Sequence, residues 1–366
     1  MKKPDVSIWC FGALSFFFTI LSCQVEDIPS EKKDVFTTNP QSKVFKNPQY
    51  NFVKPKTEIY SLNQLYFDDG IINSPCPVTK FGEIISNQFD KLIEDPYFDF
   101  RLINYLSDLN RRYVTYYEGE NYYGINGEYN QLANKRIREL EKFWKLNRDI
   151  RLNGQHTSTL TDREILTDMI ESFDRTVRNR DQAYEKADGI LKTTSKSANI
   201  PENPLFAMDA FTRSNGLLVI GDGLLESLEA LGIDGKIAFT AIISHEWWHQ
   251  AQFENSDHWG FIDQLETNSE RSRFAELEAD FAAAYFMTHK RGATYNWWRI
   301  KDYFTLSFNV GDCLIDSEQH HGTPTQRLAA AEFGYQLASE AQKKGFILEP
   351  DEVHEEFVKW YVSIIQ

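Results

Sequence analysis

Positive charge is in short supply in this sequence. Its 39 lysines and arginines face 54 aspartates and glutamates, giving a formal net charge of −15. A nucleic-acid partner wants a basic face, so the balance argues against one. Cysteine is scarcer still, with four in 366 residues, none in a Cys-x-x-Cys or other metal-ligand spacing. After Leu21 no apolar run is long enough to span a bilayer. Internal repeats are absent too. What is present is apolar content of 42%, a third of it aromatic at 14%, enough for a real core. The length suits one large domain or two modest ones.

The chain starts with an export signal by its layout. Lys2 and Lys3 precede a Phe-rich apolar run from Ile8 to Leu21. The ending Ile20-Leu21-Ser22-Cys23 resembles the lipobox of bacterial lipoproteins, which implies cleavage after residue 22 and acylation of Cys23. Gln24 in place of Asp points, by the same resemblance, to the outer membrane. An ordinary signal peptide or an anchoring helix is the plainer alternative. Residues 23–58 scatter Pro, Asn, Lys and Ser without a period and read as a flexible tether. Residues 60–67 suggest a short extended piece. Cys10 leaves with the signal and Cys23 carries lipid. Cys76 and Cys313 remain, either paired in an oxidising compartment or separately buried.

Residues 59–200 read as a helical N-terminal region. Apolar spacing predicts helices over 84–93, over 96–117 with Asp95 as cap and Pro96 in first position, over 129–152, and over 162–198 with Thr161 and Asp162 near its start. A break containing Gly and Asn falls at 118–127. Tyr113, Tyr116, Tyr117, Tyr122 and Tyr123 form an aromatic cluster, either packing or walling a groove.

At Pro201 the texture changes, and residues 201–366 read as a second unit. Ser214-Asn215-Gly216 signals a turn, residues 217–220 a short strand, and residues 224–231 a helix stopped by Gly232. Asp234 can cap the next helix. That helix holds His245-Glu246-Trp247-Trp248-His249 after an apolar run free of Gly and Pro. Residues four apart share a helix face, so His245 and His249 can present two imidazoles to one metal ion. Glu246 then lies where it can take a proton from water that the ion activates.

A catalytic zinc site wants a third protein ligand and an open position. The helix expected over 269–290 carries Glu276, Glu278 and Asp280 among Phe and Ala residues. Glu276 and Glu278 both qualify by type but lie on different faces. Asp280 shares the face of Glu276 and can hold a ligating imidazole by its other nitrogen, which favours Glu276 as ligand. Surface turn-capping is the plainer reading of these carboxylates. Further on, residues 297–308 are aromatic and suited to packing. Gln319-His320-His321-Gly322 is a polar loop. Thr323, Pro324 and Gln326 spell a helix start with a capping box, and Lys343-Lys344-Gly345 its stop. Residues 353–365 suit a last helix. His156, His258, His289 and His354 have no such context and read as surface or packed residues.

Residues 208 to about 335 resemble gluzincin metallopeptidases, above all the family of HtpX-like heat-shock proteases and CAAX prenyl endopeptidases. Asp209-Ala210-Phe211, the Asn215-Gly216 turn, the strand at 217–220, Gly223-Leu224-Leu225, the His-Glu-x-x-His motif, Glu276 with Asp280, and His321 six residues before Arg327 follow that family's order. The run from His321 to Arg327 and the pattern Glu276-Leu277-Glu278-Ala279-Asp280 also resemble neutral zinc metallopeptidases. The resemblance covers about a third of the chain. It implies a mainly α fold with a small β edge (α+β), zincin-like and built around the two motif helices. It also implies one zinc ion held by His245, His249 and Glu276, with Glu246 as general base and later proton donor. Asp280 would support a ligand, His321 would stabilise the oxyanion, and Arg327 would anchor the site. The strand at 217–220 would pair with an extended substrate. Trp247 and Trp248 are bulkier than that family's usual residues, and Asn215-Gly216 replaces its Gly-Gly. His320 competes with His321, which the spacing to Arg327 favours.

The expected function is a lipid-anchored zinc endopeptidase of the bacterial envelope. Its substrates would be misfolded or partner envelope proteins, and its only membrane contact the lipid. The alternatives are a peptidase fold used as a chaperone or binding module, gated by residues such as 251–268, and metal-dependent hydrolysis of a non-peptide bond.

Overall fold

The computed structural model describes Cys76 and residues 78–313, 320–344 and 346–365. The signal at 1–22, the lipidation of Cys23, the tether and the extended piece at 60–67 lie outside the described residues. Eleven α-helices and one three-stranded sheet account for most of what is described. No helix among the described residues is long and apolar enough to cross a membrane.

The first half is helical, with three departures from expectation. Helix α1 (Lys80–Ile93) is capped by Thr79, whose hydroxyl accepts from the Gly82 amide. Helix α2 (Phe100–Tyr116) starts at Phe100 rather than Pro96, because Asp99 and not Asp95 accepts from its free amides. Asp95 accepts instead from the Tyr97 amide, the Ser197 hydroxyl and the Asn199 side chain. Helix α3 (Asn130–Trp144) stops eight residues before expected, with Lys145 in the left-handed region at φ 52°. Residues beyond it form strand β1 (Arg151–Gln155). The long helix expected over 162–198 is a pair, α4 (Arg163–Phe173), capped by Asp162, and α5 (Arg180–Thr194), capped by Asn179. The charged pattern reads through both breaks because exposed helix and exposed turn carry similar residues.

Strands β2 (Ala210–Thr212) and β3 (Leu217–Gly221) complete the sheet in the order β1-β3-β2. Leu152 lies opposite Leu218 in the parallel pair, and Phe211 opposite Val219 in the antiparallel pair. β3 is therefore central, with its backbone bonded on both sides. This corrects the expectation that residues 217–220 receive a substrate strand. The outer side of β1 is covered as well: the Gly154 amide donates to Asn121 Oδ1 at 3.1 Å, and the Tyr123 hydroxyl to the Leu152 carbonyl at 2.7 Å. All three residues of β2 are buried. Because β1 pairs with β3, and one hydrophobic cluster runs from Phe81 to Tyr361, the segments expected as separate units at 59–200 and 201–366 share a sheet and a core.

After the sheet come α6 (Asp222–Ala230), α7 (Gly235–Asn255), α8 (Asn268–Thr288), α9 (Trp297–Asn309), α10 (Pro324–Lys344) and α11 (Pro350–Ile365). The expected caps form. Asp234 accepts from the Lys236 and Ile237 amides. Thr323 and Gln326 cap each other across the first turn of α10. Thr267 and Glu270 make a second capping box at α8. Each such cap contributes about 1 kcal/mol, so they define helix ends rather than hold the fold. What holds it is burial. Every residue of α7 from 237 to 251 is buried, as is every residue of α8 from 274 to 288. A helix apolar almost all round belongs inside a protein. Alpha-helix α10 crosses α8 closely: a side chain at Gly334 would collide with the Phe281 carbonyl. Ala284 lies against the same glycine, and its small side chain keeps that approach tight.

Trp247 and Trp248 belong to this core. Trp248 packs edge-on against Trp144 at 4.8 Å and stacks on Trp259 at 5.6 Å. The tyrosines cluster in part: Tyr113 packs on Tyr117 at 5.2 Å, while Tyr122 stacks on His156, Tyr123 packs on Phe239, and Tyr116 is exposed. Cys76 and Cys313 form a disulfide, tying the start of the described chain to the segment before His320.

Candidate metal centre

Two neighbouring buried helices bring the centre together. Helix α7 carries His245, Glu246 and His249, and α8 carries Glu276 and Asp280. His245 Nε2 lies 3.3 Å from Glu276 Oε2, and His249 Nε2 lies 3.4 Å from Glu276 Oε1. These facing atoms are buried and complete no hydrogen bond. Buried polar atoms are nearly always bonded, so an orphaned convergent set marks a place built for another partner. His245, His249 and Glu276 are the one group among the described residues whose ligand atoms lie close enough to share a metal ion.

The remaining nitrogens are held from outside. His245 Nδ1 meets Asp280 Oδ1 at 3.0 Å. Asp280 is gripped in turn by Arg327, from Nε at 2.7 Å and Nη2 at 2.9 Å, and by the Tyr303 hydroxyl, which donates to its carbonyl at 3.0 Å. Arg327 Nη1 also lies 3.7 Å from Glu276 Oε2. His249 Nδ1 meets Gln252 Oε1 at 2.7 Å. Each imidazole thus turns Nε2 toward Glu276.

Charge follows geometry. Burial alone would raise the pKa of Glu276; the nearby charge of His321 and the two facing imidazoles reverse this and hold it well below the ordinary value. Burial likewise opposes ionisation of Asp280, and Arg327 outweighs it. His245 is pulled the other way. Burial would lower its pKa, but Asp280 on one nitrogen and Glu276 facing the other raise it to about 10.

The late loop reaches the same place. Gly322, next to His321, sits against Leu277 and Arg327, so the loop packs on α8 beside the position of Glu276, and a charge on His321 lowers the Glu276 pKa. Gly322, at φ +100°, turns the chain from His321 into the cap of α10. Asp312 holds both histidines: Oδ1 meets His320 Nδ1 at 2.7 Å, and Oδ2 accepts the His321 amide at 2.8 Å. His320 is fully buried with its Nε2 unbonded. Glu278 faces away from the centre, toward Gln252 and His354.

Asp312, Gln252 and Tyr303 carry no motif, and sequence reasoning missed all three. Gln252 alone had a findable signal, one turn beyond His249 on the same face. Of the histidines read as surface or packed, His156 meets Asp222 at 2.6 Å and His354 meets Glu278 at 2.5 Å, both buried, while His258 is exposed. No known family, curated protein or solved structure matches the chain.

Proposed function

We propose that this protein is a zinc-dependent endopeptidase with a zincin-like centre of the gluzincin type. The convergence of the His245, His249 and Glu276 ligand atoms around an orphaned buried point carries the reading. Zinc suits the donor set and the spacing. The ligand atoms all lie within 4.8 Å of one another, with each imidazole 3.3–3.4 Å from a different oxygen of Glu276. The order of motifs shared with HtpX-like and neutral zinc metallopeptidases points the same way. So does the outer grip of Asp280 on His245.

When bound there, zinc supplies a Lewis acid and lowers the pKa of water. The chain's own residues do the rest. Glu246, buried one position after His245, accepts a proton from the attacking water and returns it to the leaving amine. His321, on the loop that packs against Leu277 and Arg327, donates to the oxyanion as it develops. Asp280 and Arg327 hold His245 in place. The substrates are proteins or peptides of the bacterial envelope, reached from a lipid anchor at Cys23.

A second reading has one observation in its favour. His245 is 5% exposed, Glu276 1%, and Glu246 and His249 not at all. Such burial favours a gated enzyme or a binding module on the same fold. Elemental analysis of protein purified from residue 24 onward, beside a Glu246→Gln variant in an unfolded-protein cleavage assay, separates the readings. One zinc with cleavage lost only in the variant supports the peptidase. Zinc without cleavage in either supports the gated or binding form. No stoichiometric zinc, after metal is offered back, overturns the site.

A further inference from the structure

We propose that Gln252, fixed by Glu278 and backed by His354 of the last helix, is the positioning residue for the metal ligand His249. The inference rests on the zinc reading above. It starts from the amide of Gln252. Its Nε2 donates to the Ala275 carbonyl at 3.0 Å and to Glu278 Oε2 at 2.7 Å. A carbonyl can only accept, so the amide has one orientation, with Oε1 toward His249. That oxygen can only accept as well. The 2.7 Å contact with His249 Nδ1 therefore requires a proton on Nδ1 and leaves the lone pair of Nε2 for a metal. One backbone carbonyl on α8 selects the tautomer of an imidazole on α7.

The chain continues outward. Glu278 Oε1 meets His354 Nδ1 at 2.5 Å on α11. The His354 ring stacks on Trp259 at 4.3 Å with 7° between planes. Trp259 Nε1 donates to Asp351, one turn before His354, at 2.7 Å. Glu278 is buried, so both of its oxygens are spent on this chain rather than on solvent. His245 is aimed by Asp280 and Arg327 from within the site, whereas His249 is aimed from the C-terminal helix.

Zinc affinity, measured by competition with a chromophoric chelator, tests this without reference to turnover. Loss of an outer partner of a ligating histidine weakens metal about 10- to 100-fold. Gln252→Leu is expected to fall in that range, and His354→Ala to lose severalfold. Cobalt-substituted Gln252→Leu should show an altered visible absorption spectrum. The exchange Gln252→Glu with Glu278→Gln decides the matter even if Gln252→Leu fails to fold. Gln252→Glu alone sets carboxylate oxygens against Glu278 and the Ala275 carbonyl and should bind zinc weakly, while the double exchange restores a donor between positions 252 and 278, leaves the Ala275 carbonyl without one, and should recover part of the affinity. Wild-type affinity in the single Gln252→Glu variant, or no recovery in the double, overturns the proposal. A wild-type protein that binds no zinc overturns the zinc reading instead.

Discussion

Arg327 grips both carboxylate oxygens of Asp280, at 2.7 and 2.9 Å, 47 residues apart in the chain and wholly inside it. A planar guanidinium matched to a carboxylate is the strongest ordinary ion pair, and burial makes each half dependent on the other. Arg327→Met should therefore cost about 3–5 kcal/mol by removing one half of a buried ion pair. The Arg327→Met/Asp280→Leu double variant should be less destabilised than the sum of its singles. Urea denaturation of the four proteins checks this; additive losses would mean that the pair is not coupled.

Metal binding should depend on pH. In the metal-free chain Asp280 and Glu276 raise the His245 pKa to about 10, so a metal ion has to displace a proton. Affinity should then rise about tenfold per pH unit through neutrality and flatten near pH 10. Chelator competition between pH 6 and 9 reads the slope; a flat profile would contradict it. The same shifts bear on stability without metal. The raised pKa of His245 contributes stability that is complete below its ordinary 6.5 and lost as pH climbs through about 10. The lowered pKa values of Glu276 and Asp280 contribute stability above their ordinary values and lose it in acid. Denaturation midpoints of metal-free protein should peak between these limits.

His321 and His320 should separate by kinetics. His321 is carried on the loop that packs against Leu277 and Arg327, while His320 is fully buried against Asp312. On the peptidase reading, His321→Gln should lower kcat about 100- to 1000-fold with zinc content unchanged. His320→Gln should lower the melting temperature first. Equal kcat losses with equal stability would assign the role to the pair instead.

The disulfide joins Cys76 to Cys313 across 237 residues. Closing so long a loop restricts the unfolded chain, and removal of such a bond typically costs about 2–4 kcal/mol. Cys76→Ala with Cys313→Ala should unfold at lower denaturant under oxidising conditions and match wild type under strong reduction. Because Cys313 follows Asp312, which holds His321, cleavage on the peptidase reading should also suffer in the variant.

Much of the site was legible because its information is local. Two histidines four apart, a carboxylate pair four apart, an aspartate before a helix and a Thr-Pro-Thr-Gln start all act within one or two turns. Helical spacing alone put His245 with His249 and Glu276 with Asp280 on common faces, and the caps at Asp234 and Thr323 followed from the free amides of any helix start. The tertiary structure decided what depends on distant partners. Strand β1 exists because β3 lies beside residues otherwise suited to a helix. The central place of β3 removed it as a substrate edge. Glu278 is turned from the centre by the helix pitch, but its pairing with Gln252 and His354 required α11 to return across 76 residues. Asp312 is linked to His321 by the fold of a loop with no period of its own. Hydrogen bonds between elements leave no periodic trace in a sequence, since a polar residue waiting for a buried partner looks the same as one facing water.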